Sequence, residues 1–128
     1  MIGYLTLGTN DFDKATAFYD DLLGMMGASR AFQTDRMVAW KFAEGGALIS
    51  VIKPYDGEKA TAGNGSMVAL SVEDPTTVDN LHAKALILGA TNEGDPGLRG
   101  ENFYGAYFRD PDGNKMNFYC WVKTDPNA

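Results

Sequence analysis

Tyr107 to Cys120 reads YFRDPDGNKMNFYC, and the rest of the chain can be read outward from it. Asp110-Pro111-Asp112-Gly113-Asn114 supplies the devices of a tight reversal. Proline presets φ near −65°, aspartate side chains accept hydrogen bonds from backbone amides, and glycine adopts positive φ without steric cost. Tyr107, Phe108, Phe118, Tyr119 and Trp121 flank the turn and are strand formers, so the stretch predicts a β-hairpin.

Working back to the N-terminus, Ile2 to Leu7 alternates as a strand, with Leu5 and Leu7 on one face and Tyr4 and Thr6 on the other. Asn10 or Asp11 can cap a helix whose apolar stripe is Ala15, Phe18, Tyr19 and Leu22, with Gly24 and Gly27 ending it. Three short strands are expected at 28–33, 37–42 and 47–52. Lys53 to Gly65 (KPYDGEKATAGNG) has no apolar period and reads as a linker, or a flap over a site. Ser66 to Val72 is the next strand. Glu73 or Asp74 then caps a second helix with Pro75 at its first position and Val78, Leu81, Ala85 and Leu86 on its apolar face. A short strand near 90–93 and a Gly-rich loop over 94–102 lead into the hairpin. Thr124 to Ala128 reads as a frayed tail.

The element order is therefore strand, helix and three strands, twice over. Tyr4–Asp11 lies over Met67–Asp74 without a gap, with Leu7/Leu70 and Asp11/Asp74 identical. The division predicted is one domain over 1–128, built of half-units at about 2–53 and 66–122 joined by the linker 53–65. A helix on one face of each small sheet leaves the other face free for a ligand.

Composition narrows the function. The 128 residues carry a formal charge of −6 without a basic cluster, which disfavours a nucleic-acid partner. No apolar run approaches the roughly 20 residues of a membrane span, and no leader pattern opens the chain, so a cytoplasmic location and no membrane partner are expected. The single cysteine, Cys120, sits in an apolar strand and is read as core packing.

With the repeated unit, the Asp11…Phe18-Tyr19…Leu23-Gly24 run and the FRDPDGN turn in view, the chain resembles the vicinal oxygen chelate superfamily of glyoxalases, bleomycin-resistance proteins and dioxygenases. The resemblance covers about Tyr4 to Trp121. It implies an α+β fold in which two βαβββ modules form a cup-shaped half-barrel, and a homodimer. In catalytic members of that superfamily, four side chains projecting into the cup hold a divalent metal. Carried onto this sequence, those positions fall on Tyr4, Ser50, Met67 and Asn117. None is a histidine or a carboxylate, and a phenol, a hydroxyl, a thioether and an amide hold Zn²⁺ or Ni²⁺ poorly.

The expectation is therefore a protein with neither metal nor other cofactor, and with no assigned catalytic residue, that binds a small aromatic or apolar molecule as a bleomycin-resistance protein would. Strand alternation adds Thr6, Leu48, Ile52, Ala69, Lys115 and Tyr119 to the side that holds the four positions. Trp40 and Tyr104 are expected to contribute from neighbouring strands, and Arg99 to reach an anionic ligand from the Gly-rich loop. The ligand-binding set is thus Tyr4, Trp40, Ser50, Met67, Arg99, Tyr104, Asn117 and Tyr119. Glu101 is a candidate general base without a tuning environment. His82 reads as an ordinary helical residue, and Asp110 and Asp112 belong to the turn. Two alternatives stand beside this reading. One is a glyoxalase-like lyase, isomerase or dioxygenase with displaced ligands. The other is a dimerising interaction domain whose cup is filled by its own side chains.

Overall fold

Hydrophobic spacing and capping chemistry account for both helices. In the computed structural model, which describes residues 1–123, Asp11 caps α1 (Phe12–Gly24) by accepting the Lys14 amide at 3.1 Å. Asp74 caps α2 (Pro75–Ile87) by accepting from Thr77, with proline in the first turn as its sequence requires. The residues 124–128, expected to fray, lie outside the described residues.

The strands are β1 (Tyr4–Gly8), β2 (Ser29–Gln33), β3 (Met37–Lys41), β4 (Leu48–Ile52), β5 (Val68–Ser71), β6 (Thr91–Arg99), β7 (Phe103–Arg109) and β8 (Lys115–Trp121). They form two four-stranded sheets, ordered β1-β4-β3-β2 and β5-β8-β7-β6. Each sheet joins its first and last strands in parallel and its other neighbours antiparallel. With one helix per sheet, the fold is α+β and neither sheet closes into a barrel. The first compact unit comprises Met1–Asn64 with Pro111–Asn114; the second comprises Gly65–Asp110 and the chain from Lys115 onward.

In the first unit, Ala15, Phe18, Tyr19, Leu22 and Leu23 of α1 are buried together with Val38 and Trp40 of β3 and Ile49 and Val51 of β4. The turn residues Pro111–Asn114 belong to this unit, and their polar groups are used there. Asp112 Oδ1 accepts the Asn10 amide at 2.8 Å, and Asn114 Nδ2 donates to the Gly8 carbonyl at 3.1 Å. Gly113 has φ of 88°, as the turn chemistry anticipates. The 53–65 segment is also tied down within the unit, by a reciprocal pair in which Asn10 accepts from Ala60 N and donates to Ala60 O.

The second unit buries Val78, Leu81, His82 and Ala85 of α2 against Ala106, Phe108, Met116, Phe118 and Cys120. The buried Cys120 thiol is pushed above its ordinary pKa, first by desolvation and then by Asp74 and Asp79. Here the structure departs from expectation. Of the glycine-rich stretch only 100–102 is a turn: β6 runs on to Arg99 through register shifts between Asn92 and Gly94 and between Gly94 and Gly97. Its glycines are the places where side chains lie against the strand. A β-carbon at Gly94 would come within 3.1 Å of the Tyr107 ring, and one at Gly97 within 3.2 Å of the Arg99 guanidinium. Bulges with glycine keep a strand paired while its side chains are re-aimed.

Candidate functional site: the helix-free faces of the two sheets

Register decides which side chains share a face. In the first sheet Tyr4 pairs with Leu48, Thr6 with Ser50, Ala39 with Ser50 and Met37 with Ile52, so these residues lie opposite the helix. In the second, Ala69 and Tyr107 both pair with Asn117, Gly105 with Tyr119 and Phe103 with Trp121, again opposite the helix. Ser50 and Asn117 therefore hold matching places in the two sheets. Thr6 and Ala69 are their matching partners, as the internal alignment of Tyr4–Asp11 with Met67–Asp74 requires.

The four positions differ sharply in access. Tyr4 is 62% exposed and Met67 is 44% exposed, whereas Ser50 and Asn117 are at 0% and 1%. The Ser50 hydroxyl has no hydrogen-bond partner among the described residues. The Asn117 carboxamide is fixed: its Nδ2 donates to the Ala106 carbonyl at 2.9 Å and to the Phe118 carbonyl at 3.1 Å. Both partners are pure acceptors, so only the NH₂ end of an amide can face them.

Two candidates are corrected. Trp40 pairs with Ile49 and so stands on the helix side. Its buried indole lies 5.7 Å from the Tyr19 ring and its Nε1 donates to Asp20 Oδ1 at 2.8 Å. Tyr104 pairs with Cys120, and its hydroxyl donates to Asp79 of α2 at 2.7 Å, a bond that raises the Tyr104 pKa. Both residues stand on the helix side of their sheets, and neither lines a helix-free face. His82 is buried in the core. Its Nε2 lies 3.1 Å from the Tyr107 carbonyl and from Asn92 Oδ1, and the carbonyl requires that nitrogen to carry the proton. Glu101 is exposed in the turn between β6 and β7.

Tyr119 is on the helix-free face of the second sheet, and it has company that sequence reasoning missed. Phe103 stacks on it at 5.0 Å and 10°, while Trp121 meets Phe103 and Tyr119 edge-on at 5.3 and 6.0 Å. Gly105 makes room for this cluster, since a β-carbon there would lie 2.7 Å from Phe103 Cε1. The signal was present in the alternation Phe103, Gly105, Tyr107 against Asn117, Tyr119, Trp121, but it needed the β7–β8 register. Arg99 stands at the end of β6, with its guanidinium 5.5 Å from the Tyr107 ring centre, and Lys115 lies 5.6 Å from the same centre.

The profile of the Glyoxalase/Bleomycin resistance protein/Dioxygenase superfamily matches residues 1–118. The chain belongs to that superfamily. A glyoxalase/bleomycin resistance protein from Albidiferax ferrireducens, known by crystal structure, is 32% identical, with 94% of this chain and 98% of that one covered and a TM-score of 0.84. A hypothetical protein from S. aureus is 25% identical over 94% and 92% of the two chains, with a TM-score of 0.74. A lactoylglutathione lyase from Agrobacterium tumefaciens, at 20% identity, 94% and 92% coverage and a TM-score of 0.70, shares the fold. No curated protein matches the chain.

Members of the glyoxalase superfamily that use a metal need donors such as imidazole and carboxylate, and the residues here do not fit that need. Tyr4, Ser50 and Met67 offer neutral oxygen or sulfur, and Asn117 has its NH₂ end committed to two carbonyls. Among the described residues no three His, Cys, Asp or Glu side chains stand together as a metal site. No described helix is long and apolar enough to cross a membrane.

At its surface the first half also carries a pH-dependent contact. Hydrogen bonds from Arg30, at 3.0 and 2.6 Å, hold the Asp20 carboxyl below its ordinary pKa, with burial opposing and the Trp40 indole assisting. Because the folded-state pKa is the lower one, this stabilisation is complete above the ordinary carboxylate range and is lost as pH falls through and below about 4. Urea midpoints measured from pH 7 down to 3 should therefore fall less steeply in Asp20→Asn than in the unaltered chain. Identical acid limbs would show that the contact contributes nothing.

Proposed function

We propose that this protein is a metal-independent member of the superfamily that binds a small aromatic or apolar organic molecule against the helix-free faces of its sheets, and that it works as a homodimer. The supporting observation is Asn117. The place where a metal-binding relative needs a carboxylate is taken by an amide turned, by two backbone carbonyls, into a structural link between β7 and β8. Around it the second sheet presents Phe103, Tyr107, Tyr119 and Trp121, a lining that favours flat or apolar ligands over hydrated ions. A second reading has an observation of its own. Ser50 and Asn117 are covered within this single chain, which suits a domain that dimerises and fills its interior with its own side chains.

Two measurements separate these readings. Protein expressed in metal-replete medium and dialysed without chelator should retain well under one equivalent of Zn, Ni, Mn or Fe, and stoichiometric retention would end the metal-independent reading. A thermal-shift screen of aromatic compounds should raise the midpoint by roughly 10 °C for a ligand present at a hundred times its Kd. A broad library that moves nothing would favour the interaction domain.

A further inference from the structure

Building on that reading, we infer that the ligand of the second half is an aromatic carboxylate. Its ring would lie on the Tyr119–Phe103–Trp121 cluster and its anionic group would pair with Arg99, assisted by Lys115. At the strand positions facing away from α2, β5 supplies Ala69 and Ser71, β7 supplies Phe103, Gly105, Tyr107 and Arg109, and β8 supplies Lys115, Asn117, Tyr119 and Trp121. None of these is acidic, in a chain whose formal charge is −6; the acids of β6 are engaged, Glu93 with Arg109 and Asp95 with Asn92.

Three cations stand among or beside these residues, and they are not equivalent. Arg109 is paired with Glu93 at 2.7 Å, and that carboxylate, lowered first by the Arg109 hydrogen bond, also feels Lys115. Arg99 has no carboxylate within ion-pair distance among the described residues. Its Nη2 donates to the Asp95 main-chain carbonyl at 2.7 Å, and its guanidinium rests over the Tyr107 ring. A carbonyl and a π-face fix a guanidinium without neutralising it, so its remaining N–H donors stay available to a planar anion.

That position is built from several directions. Gly94 and Gly97 lack the side chains that would crowd the guanidinium. Asn92 braces the same bulge, donating to Asp95 Oδ1 at 2.7 Å and accepting from the Gly94 amide at 3.0 Å. The ring platform lies on the neighbouring strands, with Trp121 exposed at its edge. A ligand that is aromatic at one end and anionic at the other matches this arrangement; a neutral aromatic compound would use only half of it.

Titration calorimetry with naphthoate and its uncharged analogue naphthamide tests the inference on the full-length protein. Naphthoate is expected to bind about tenfold or more tightly than the amide, the gain of one charge-assisted contact. Arg99→Gln should bring naphthoate to the amide's affinity and leave the amide unchanged. Trp121→Ala, at an exposed site where folding should be preserved, should weaken both. Equal affinities for the two probes, both reduced by Trp121→Ala, would overturn the anion assignment while sustaining the small-molecule reading. The anion assignment falls equally if naphthoate is preferred but Arg99→Gln leaves that preference intact. Binding of neither probe, together with a silent thermal-shift screen, would overturn both.

Discussion

Replacing Trp40 with alanine is expected to destabilise the protein by about 3–5 kcal/mol, lowering the thermal midpoint by roughly 10–20 °C. The indole is almost completely buried between β3 and α1, packs on Tyr19 and spends its only polar group on Asp20. Truncation removes the largest fully buried side chain of the first half, so the variant loses both transferred apolar area and the contacts around the resulting cavity. Trp40→Phe keeps most of the ring volume and loses the N–H, and a smaller loss of about 1–2 kcal/mol is expected. The decisive comparison is with binding. Because the side chain faces the helix, Trp40→Phe should leave the affinity for any aromatic ligand unchanged. A Trp40→Phe protein of near-native midpoint that binds such a ligand several-fold more weakly would put the indole back in the binding site.

Replacing Asn117 with aspartate has an expected effect of similar size for a different reason. The substitution conserves shape, so no cavity forms. It removes two N–H donors, aims carboxylate oxygen at the carbonyls of Ala106 and Phe118, and does so at a position with 1% exposure. Loss of the donors with burial of a charge is expected to cost about 3 kcal/mol or more at pH 7. The new carboxyl would titrate above its unfolded value, because burial and the two carbonyls disfavour the charged form. Its penalty should accordingly be smallest below about pH 4 and grow as the pH rises towards neutrality. Urea midpoints for both proteins at pH 4 and pH 7 check this directly. An aspartate variant as stable as its parent at pH 7, and now retaining a stoichiometric metal, would show Asn117 to be an accessible ligand position.

The two experiments bear on different layers of the molecule. The Trp40 series asks whether a residue with a good recognition side chain is in fact core, and the Asn117 substitution asks whether a position that the resemblance assigns to a metal ligand is structural here. Together with the Arg99 and Trp121 variants, they would locate recognition in the second half, on the face that β7 and β8 turn away from α2.

Much of this architecture was legible in the chain. Apolar residues at helical spacing, with Asp11 and Asp74 ahead of them, marked both helices, and the doubled order of elements marked two similar sheets. The FRDPDGN turn with the Phe18-Tyr19 run carried the superfamily. The loop expected over 94–102 is confined to 100–102, and the reading failed over 94–99 because glycine and polar residues signal irregular backbone locally. Here Gly94 and Gly97 instead relieve contacts with side chains further along the chain, at Arg99 and Tyr107.

What the sequence by itself determined was local: where helices start, where the chain reverses, which residues alternate along a strand, and that none of Tyr4, Ser50, Met67 and Asn117 is a histidine or a carboxylate. What only the tertiary structure decided was which partners those residues meet. Alternation sorts a strand into two faces, but strand register chooses the face that meets the helix, and a slip of one residue exchanges the two. Trp40 and Tyr104 were misplaced for that reason, each needing its partner, Ile49 or Cys120, to be known. The same holds for the turn. Its glycine conformation follows from composition, whereas the Asp112 carboxylate accepts from Asn10, an amide 102 residues away that no local pattern can reveal.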